Sequence, residues 1–425
     1  MEQKQKAILV GVNIRNQPSF DYSMEELGNL AAACEIESVG MMTQNLPRAN
    51  PSHYIGTGKI QELRAILDEL GAETAIFNDE LSPSQIRNLE ADLDCRVIDR
   101  TMLILDIFAE RAKTKEAQMQ VEVAQLQYML PRLVGLRESL GRQGGGAGLK
   151  NRGAGETKLE LDRRRIEERI TALNKELEAL GSRRETQRKQ RVKNEVPVVS
   201  LVGYTNAGKS TLMNALVETF HPSSNKQVFE KDMLFATLET SVRSIALPDH
   251  KSFLLTDTVG FVDKLPHHLV RAFRSTLEEA AEADVLIHVV DISNPNYELL
   301  IDITNRTLKS IGVDNIPVIY AYNKADLAGV EYPAVQDDSV TMSAKRKIGV
   351  DELIGLIRTR IFTDYVRCEM LIPYDQGGIV AYLNEHAHIL ATSYENEGTK
   401  LSLECKQSDY EKYRTFAVDA YDGIR

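Results

Sequence analysis

A chain of 425 residues, 43% hydrophobic and 27% charged, is too long for one hydrophobic core, so roughly two to four globular domains are expected. Its four cysteines (Cys34, Cys95, Cys368, Cys405) stand too far apart for metal-ligand spacing and read as core thiols of a cytoplasmic protein. No stretch approaches about 18 uninterrupted apolar residues, and residues 1–6 carry charge but no apolar run long enough for a signal peptide, so neither a helical membrane span nor a secretory signal is expected. The net charge of −11 argues against nucleic acid as a partner for the whole chain, but residues 111–195 hold 20 Lys and Arg against 12 Asp and Glu. A positive segment inside an acidic chain is a candidate polyanion site, the alternative being a solvated, ion-paired helical surface.

Residues 7–100 alternate short apolar runs with helical patterns. Strands are expected at Ala7–Val12, Val39–Thr43, Thr74–Phe77 and Cys95–Ile98, with helices near 24–35, 57–70 and 84–93. That order implies a parallel sheet covered by helices, an α/β domain over residues 1–105. Ser82 is the expected N-cap of the third helix, with Pro83 at its first position. Gly56-Thr57-Gly58-Lys59 has no glycine five positions before Gly58, so it reads as a turn into a helix rather than a phosphate loop.

The next 87 residues, 106–192, read as a long antiparallel helical hairpin. Met119, Val123, Leu126, Leu130 and Leu133 are spaced alternately by four and three, and Ile166, Ile170, Leu173, Leu177 and Leu180 repeat that spacing, so each seam is expected to bury the other. Pro131 is expected to kink the first arm near its end. The connection, 141–155, contains seven glycines with Arg142, Lys150 and Arg152 interleaved, and Arg163-Arg164-Arg165 follows. Loops this long between two helices are functional or disordered, and a mobile basic tip on a stiff hairpin suits RNA. With no interleaved aromatics, contacts to backbone and shape are expected rather than base stacking. A flexible connector is the alternative. Residues 181–195 read as a polar linker.

Residues 193–364 carry the most informative stretch. The apolar run Val198–Val202 leads into Gly203-Tyr204-Thr205-Asn206-Ala207-Gly208-Lys209-Ser210 and then the helical Thr211-Leu212-Met213. Strand, glycine-bounded loop and helix are the context of a phosphate-binding P-loop. Gly203, Asn206, Ala207 and Gly208 would wrap the phosphates with backbone N–H groups, and Lys209 would reach the β- and γ-phosphates. Ser210 would ligate Mg²⁺, with Thr211 in the first helical turn. Thr237, in Phe235-Ala236-Thr237-Leu238, would close on Mg²⁺ and the γ-phosphate. Asp257 and Gly260 of Asp257-Thr258-Val259-Gly260 would hold Mg²⁺ through water and sense the γ-phosphate.

An apolar strand then enters Asn323-Lys324-Ala325-Asp326. Asp326 can accept from both the ring N–H and the amine of guanine, an arrangement adenine does not offer. Asn323 would brace the P-loop, the Lys324 stem would cover the base, and Ser343-Ala344-Lys345 would present a backbone N–H to the guanine oxygen. Five such stretches in order identify a site for GTP and GDP. Where many switch GTPases place a water-orienting glutamine after the Asp-x-x-Gly glycine, this chain has Phe261, so slow intrinsic hydrolysis is expected. His267 and His268 are nearby, but read as histidines at a helix start. Residues 365–425 read as a small α+β domain: a strand at Met370–Tyr374, helix at Ile379–Leu383, hairpin around Asn396-Glu397-Gly398, and a final helix near 408–419.

The chain resembles the HflX family of translation-related GTPases. The resemblance rests on Asp79-Glu80-Leu81-Ser82-Pro83-Ser84-Gln85, Val97–Thr101, Ile107–Ala112, Gln125–Tyr128 and Gly153–Glu160, with Phe235–Leu238 and Asp257–Phe261 in the GTPase region. It covers nearly the whole chain and is least specific after 366. After Leu238 this chain runs Glu239-Thr240-Ser241-Val242-Arg243, where the family usually has Asp-Pro-Thr-Thr-Arg. The resemblance implies that the first domain and the hairpin bind the large ribosomal subunit, and that the GTP form splits stalled ribosomes under stress. It further implies that the ribosome stimulates hydrolysis. A monomer is expected, since nothing demands a dimer. Three alternatives differ in class: an RNA-remodelling ATPase, for which no second P-loop exists; a GTP-dependent protein scaffold; and a tRNA-modifying GTPase, which would be expected to carry a cysteine in its C-terminal tail.

Overall fold

The computed structural model describes residues 5–15, 17, 19–133, 151–193, 196–220, 241–264, 266, 269, 280–313 and 315–420, with the side chains of 151–159, 182–193, 419 and 420 left out. In the first domain, strands β1 (Lys6–Ile14), β2 (Glu37–Leu46), β3 (Thr74–Phe77) and β4 (Arg96–Asp99) form a parallel sheet in the order β2-β1-β3-β4. β1 is buried on both faces, as a central parallel strand must be when helices cover both sides. Ala7 and Leu9 face helix α1 (Phe20–Ala33), while Ile8, Val10 and Val12 face α2 (Thr57–Leu70) and α3 (Pro83–Leu93). α1 begins four residues earlier than the apolar pattern placed it. Ser82 caps α3 in a reciprocal box with Gln85, with Pro83 at the first helical position, and Gly56 caps α2.

Helix α4 (Arg100–Arg111) crosses the expected boundary at 105, because Leu103, Ile104, Ile107 and Phe108 pack into the core containing α1. Helix α5 (Lys115–Met129) shares itself between two partners. Ala117, Val121, Ala124 and Tyr128 join that core, whereas Met119, Val123 and Leu126 meet Ile170, Leu173, Leu177 and Leu180 of α6 (Asn151–Lys193). The ion pairs Lys115–Glu176 and Arg169–Glu122 run in opposite senses along the two helices, so they are antiparallel. A 3₁₀ turn at Leu130–Arg132, containing Pro131, ends α5.

Two expectations give way here. The glycine-rich connection does not reach 155, because α6 is already helical from Asn151 and includes Gly153 and Gly155. The polar stretch 181–193 is no linker but the last turns of the same helix, since its Arg, Lys, Gln and Glu residues are good helix formers. Residues 141–150 lie outside the described residues.

A seven-stranded sheet follows, ordered β10-β11-β9-β8-β5-β7-β6. Its strands are β5 (Val198–Val202), β6 (Ser241–Ala246), β7 (Ser252–Asp257), β8 (Val285–Asp291), β9 (Val318–Asn323), β10 (Ala334–Gln336) and β11 (Ser339–Thr341). Only the outer pairs β6–β7 and β10–β11 are antiparallel. Helices α7 (Lys209–Phe220), α8 (Tyr297–Ser310), α9 (Ala325–Ala328) and α10 (Val350–Ile361) accompany it. The first domain and this one share a core: Val259, Val262 and Leu269 pack into the cluster formed by α1, α4 and α5.

The last domain is an antiparallel sheet ordered β13-β14-β12-β15, from β12 (Tyr365–Ile372), β13 (His388–Glu395), β14 (Gly398–Lys406) and β15 (Ala417–Ala420), with α11 (Gly377–His386) packed on it through Leu383. The expected final helix is short: α12 spans Gln407–Lys412, and the alternating Ala417–Ala420 instead pairs with β12. Together these units are a P-loop GTPase fold flanked by an α/β domain with a helical hairpin and by an α+β domain.

Candidate functional site

The P-loop lies where β5 ends and α7 begins. Phosphates bound there would face the free N–H groups of a helix start. Gly208 takes φ +95°, and a Cβ there would sit 2.3 Å from Asn323 Nδ2, so no other residue fits. Asn206 is left-handed at φ +59°, a region asparagine tolerates. Ala207 is buried, and its carbonyl accepts from Asn323 Nδ2 at 3.0 Å. Asn323 Oδ1 in turn accepts the Ala344 N–H at 2.9 Å, so a single side chain ties the P-loop to the Ser343–Lys345 turn.

Lys209 folds back over the loop, its Nζ donating to the Gly203 carbonyl at 3.0 Å and the Tyr204 carbonyl at 2.8 Å. Burial pushes its ammonium down to about 8, partly opposed by Asp257. Ser210 Oγ donates to Asp257 Oδ2 at 2.7 Å, which brings two hard oxygen donors together at the start of α7. This donor pair suits Mg²⁺, which takes one or two protein oxygens and completes its shell with phosphate and water. Gly260 lies against the same place: a Cβ on it would meet Thr205 at 2.8 Å and Lys209 Nζ at 3.0 Å. Thr211 is in the first turn of α7.

At the other end, Asp326 opens α9 with Oδ1 accepting from Ser343 Oγ at 2.7 Å and Oδ2 3.5 Å from Arg346 Nε. Lys324 is left-handed at φ +62°, with Nζ 2.8 Å from Asp291. Ala344 is buried and Lys345 exposed. Thus Gly203, Asn206, Ala207, Gly208, Lys209, Ser210, Asp257 and Gly260 gather at one end of the cradle, and Asn323, Lys324, Asp326, Ser343 and Ala344 at the other. Thr237, His267 and His268 lie outside the described residues.

Two features were not legible from the sequence. Phe261 is 3% exposed, its ring in a cluster with Val202, Tyr204, Ala280 and Leu286, while its backbone bridges to the P-loop: Phe261 N–H donates to Gly203 O at 3.1 Å and Thr205 N–H to Phe261 O at 2.8 Å. Tyr204, which no phosphate role required, points its hydroxyl to Glu26 of α1, 178 residues away in sequence. Periodicity and spacing carry no signal for such a pair. The Arg163–Arg165 run is also engaged: Arg163 pairs with Glu167, Arg164 with Glu168 and Arg165 with Asp162, all on an exposed face.

The chain matches known proteins over most of its length. Residues 21–109 match a family described as GTP-binding GTPase N-terminal, 111–191 one described as GTP-binding GTPase Middle Region, and 198–324 one described as 50S ribosome-binding GTPase. The chain is 43% identical over 415 residues to the GTPase HflX of Caldanaerobacter subterraneus subsp. tengcongensis, covering 98% of this chain and 94% of that protein. To the GTPase HflX of Escherichia coli K12 it is 38% identical over 379 residues, covering 88% and 87%. A crystal structure of SsGBP with GDP aligns at 26% identity and a TM-score of 0.45, over 84% of this chain and 98% of that one. With matches of this identity across nearly its full length, the chain belongs to the HflX family of GTP-binding, GTP-hydrolysing enzymes.

Proposed function

We propose that this GTPase binds the large ribosomal subunit through its first domain and helical hairpin, the basic glycine-rich loop meeting ribosomal RNA. In its GTP form it splits stalled ribosomes under stress, and the ribosome stimulates hydrolysis to reset it. It acts as a cytoplasmic monomer. The observation that carries the reading is the shared core. Val259 and Val262 flank Gly260 and pack among the residues of α1, α4 and α5, and α5 is itself one arm of the hairpin. A shift of the Asp257–Gly260 loop with nucleotide state therefore presses directly on the base of the hairpin. A helix of 43 residues, about 64 Å long, then sets the reach of the basic loop at its start.

In the catalytic cradle, the P-loop N–H groups and Lys209 would take the phosphates. Asp326 and the Ala344 N–H would read guanine. Ser210, Asp257 and Thr237 would hold Mg²⁺, which when bound neutralises phosphate charge. With an apolar Phe261 ring buried in a cluster with Val202, Tyr204 and Leu286, no side chain at that position orients water, which supports slow intrinsic turnover completed on the particle.

The exposed arginine pairs of α6 are weak and exchangeable for phosphate, so RNA contacts release counterions and fade with salt. Co-sedimentation with purified large subunits in GTP and GDP, at two salt concentrations, tests the binding. Pelleting that needs GTP and falls steeply with salt supports the reading, whereas salt-insensitive or absent pelleting moves the weight to a protein scaffold.

A further inference from the structure

The buried polar groups between the first domain and the GTPase domain form one connected cluster. Arg100, 1% exposed, donates through Nη2 to Glu26, through Nη1 to Asn78 Oδ1 at 2.9 Å and the Ser23 carbonyl at 3.4 Å, and through Nε to the Asp263 carbonyl at 3.3 Å. Glu26, 3% exposed, accepts a hydrogen bond from the Tyr204 hydroxyl with its other oxygen. That hydroxyl oxygen accepts the Asp263 N–H at 2.7 Å. Both backbone polar groups of Asp263 are therefore captured, the N–H by the P-loop tyrosine and the carbonyl by an arginine of the first domain. Lys264 adds an ion pair to Asp79 of the first domain at 2.6 Å.

We propose that Arg100 and Glu26 are positioning residues for GTP hydrolysis, acting through Tyr204 and the Asp263 peptide to hold the segment after Gly260 against the P-loop. The physical reason lies in the spacing. Asp263 is three residues beyond Gly260, and Phe261 between them is already bridged to Gly203 and Thr205. With Asp263 pinned as well, the segment is fixed at two points to the P-loop and has little freedom to displace the Gly260 N–H. A Coulombic pair buried this deeply repays its desolvation only when its remaining lone pairs and protons are satisfied, and this one is satisfied across the domain boundary. The partners that complete it are the Asp263 carbonyl and the P-loop hydroxyl, so the pair is tied to the segment after Gly260. Arg100 and Glu26 lie outside the P-loop and the Asn323–Asp326 stretch, and they reach the segment after Gly260 only through Tyr204 and the Asp263 carbonyl, so their influence is on the orientation of Gly260 and hence on the hydrolysis step rather than on binding.

The test uses the full chain without ribosomes, so it rests on GTP hydrolysis alone and can fail or succeed independently of the ribosome reading. Tyr204→Phe keeps the ring in its cluster and removes only the hydroxyl. Arg100→Lys keeps the charge beside Glu26 but cannot also reach Asp263 and Asn78. Each is expected to lower single-turnover GTP hydrolysis by roughly tenfold, the effect of one lost hydrogen bond felt in the transition state. The KM for GTP and the affinity for GDP are expected to stay within about twofold, as for an interaction outside the binding contacts. Glu26→Gln, whose amide oxygen can still accept from Tyr204 but which loses the charge paired with Arg100, is expected to lower the rate by less than Tyr204→Phe does. Unchanged hydrolysis in folded Tyr204→Phe would overturn the proposal, as would a rate loss matched by an equal loss of GDP affinity. If Arg100→Lys does not fold, Tyr204→Phe decides alone.

Discussion

Asn323 is joined to Ala207 by a hydrogen bond of 3.0 Å from its Nδ2 to the P-loop carbonyl, while its Oδ1 accepts the Ala344 N–H at 2.9 Å. The P-loop and the Ser343–Lys345 turn, the proposed phosphate and base ends of the cradle, thus share a side chain. Removing it leaves a buried carbonyl and a buried N–H without partners, which costs about 2–4 kcal/mol of stability. Asn323→Ala is expected to weaken GDP binding at least tenfold and to lower the melting temperature, measured by nucleotide titration and calorimetry. Wild-type affinity in a folded Asn323→Ala protein would show that the two ends are positioned independently.

Phe261 occupies the position where a glutamine would serve catalysis, yet its ring is core. Substituting glutamine is therefore expected to place an unpartnered amide in an apolar cluster, at a cost of about 3 kcal/mol. The expected result for Phe261→Gln is a lower melting temperature and no gain in hydrolysis. Faster turnover at undiminished stability would mean that the side chain at 261 faces the nucleotide.

His288 lies on β8, 1% exposed, and burial with the nearby Lys209 charge pushes its imidazole down to about 4. Because the unfolded chain binds this proton more readily, the contribution is fully present above the ordinary histidine value of 6.5. It is lost as pH falls from 6.5 towards 4, by about 3 kcal/mol in all. Replacing the ring with one that does not titrate, His288→Phe, is expected to flatten the acid limb of stability between those values. Buried Glu26 and Asp99 have carboxyls raised by burial and act in the opposite sense, so the comparison is between wild type and variant at each pH. Parallel curves for the two proteins would rule out His288 as the source.

Much of this was visible in the sequence because the signals were local. The spacing of glycines with Lys209 and Ser210, the Asp257–Gly260 and Asn323–Asp326 stretches, and the Ser82-Pro83 cap are each set within a few residues. The seam of Met119, Val123 and Leu126 against Ile170, Leu173 and Leu177 was readable because helical periodicity fixes which residues share a face. What was not legible depended on distant pairing. Ala417–Ala420 is a strand only because β12 offers an edge, and α4 joins the first domain only because α1 presents an apolar face. The contact of Tyr204 with Glu26 needs the two domains docked before it exists.

We propose a GTP switch whose hydrolysis is completed on the large ribosomal subunit. It is tested most directly by GTP turnover of the full chain with and without purified large subunits, at two salt concentrations. Strong stimulation that diminishes as salt screens the phosphate contacts is expected. GTP binding that persists with no stimulation by the subunits would contradict it.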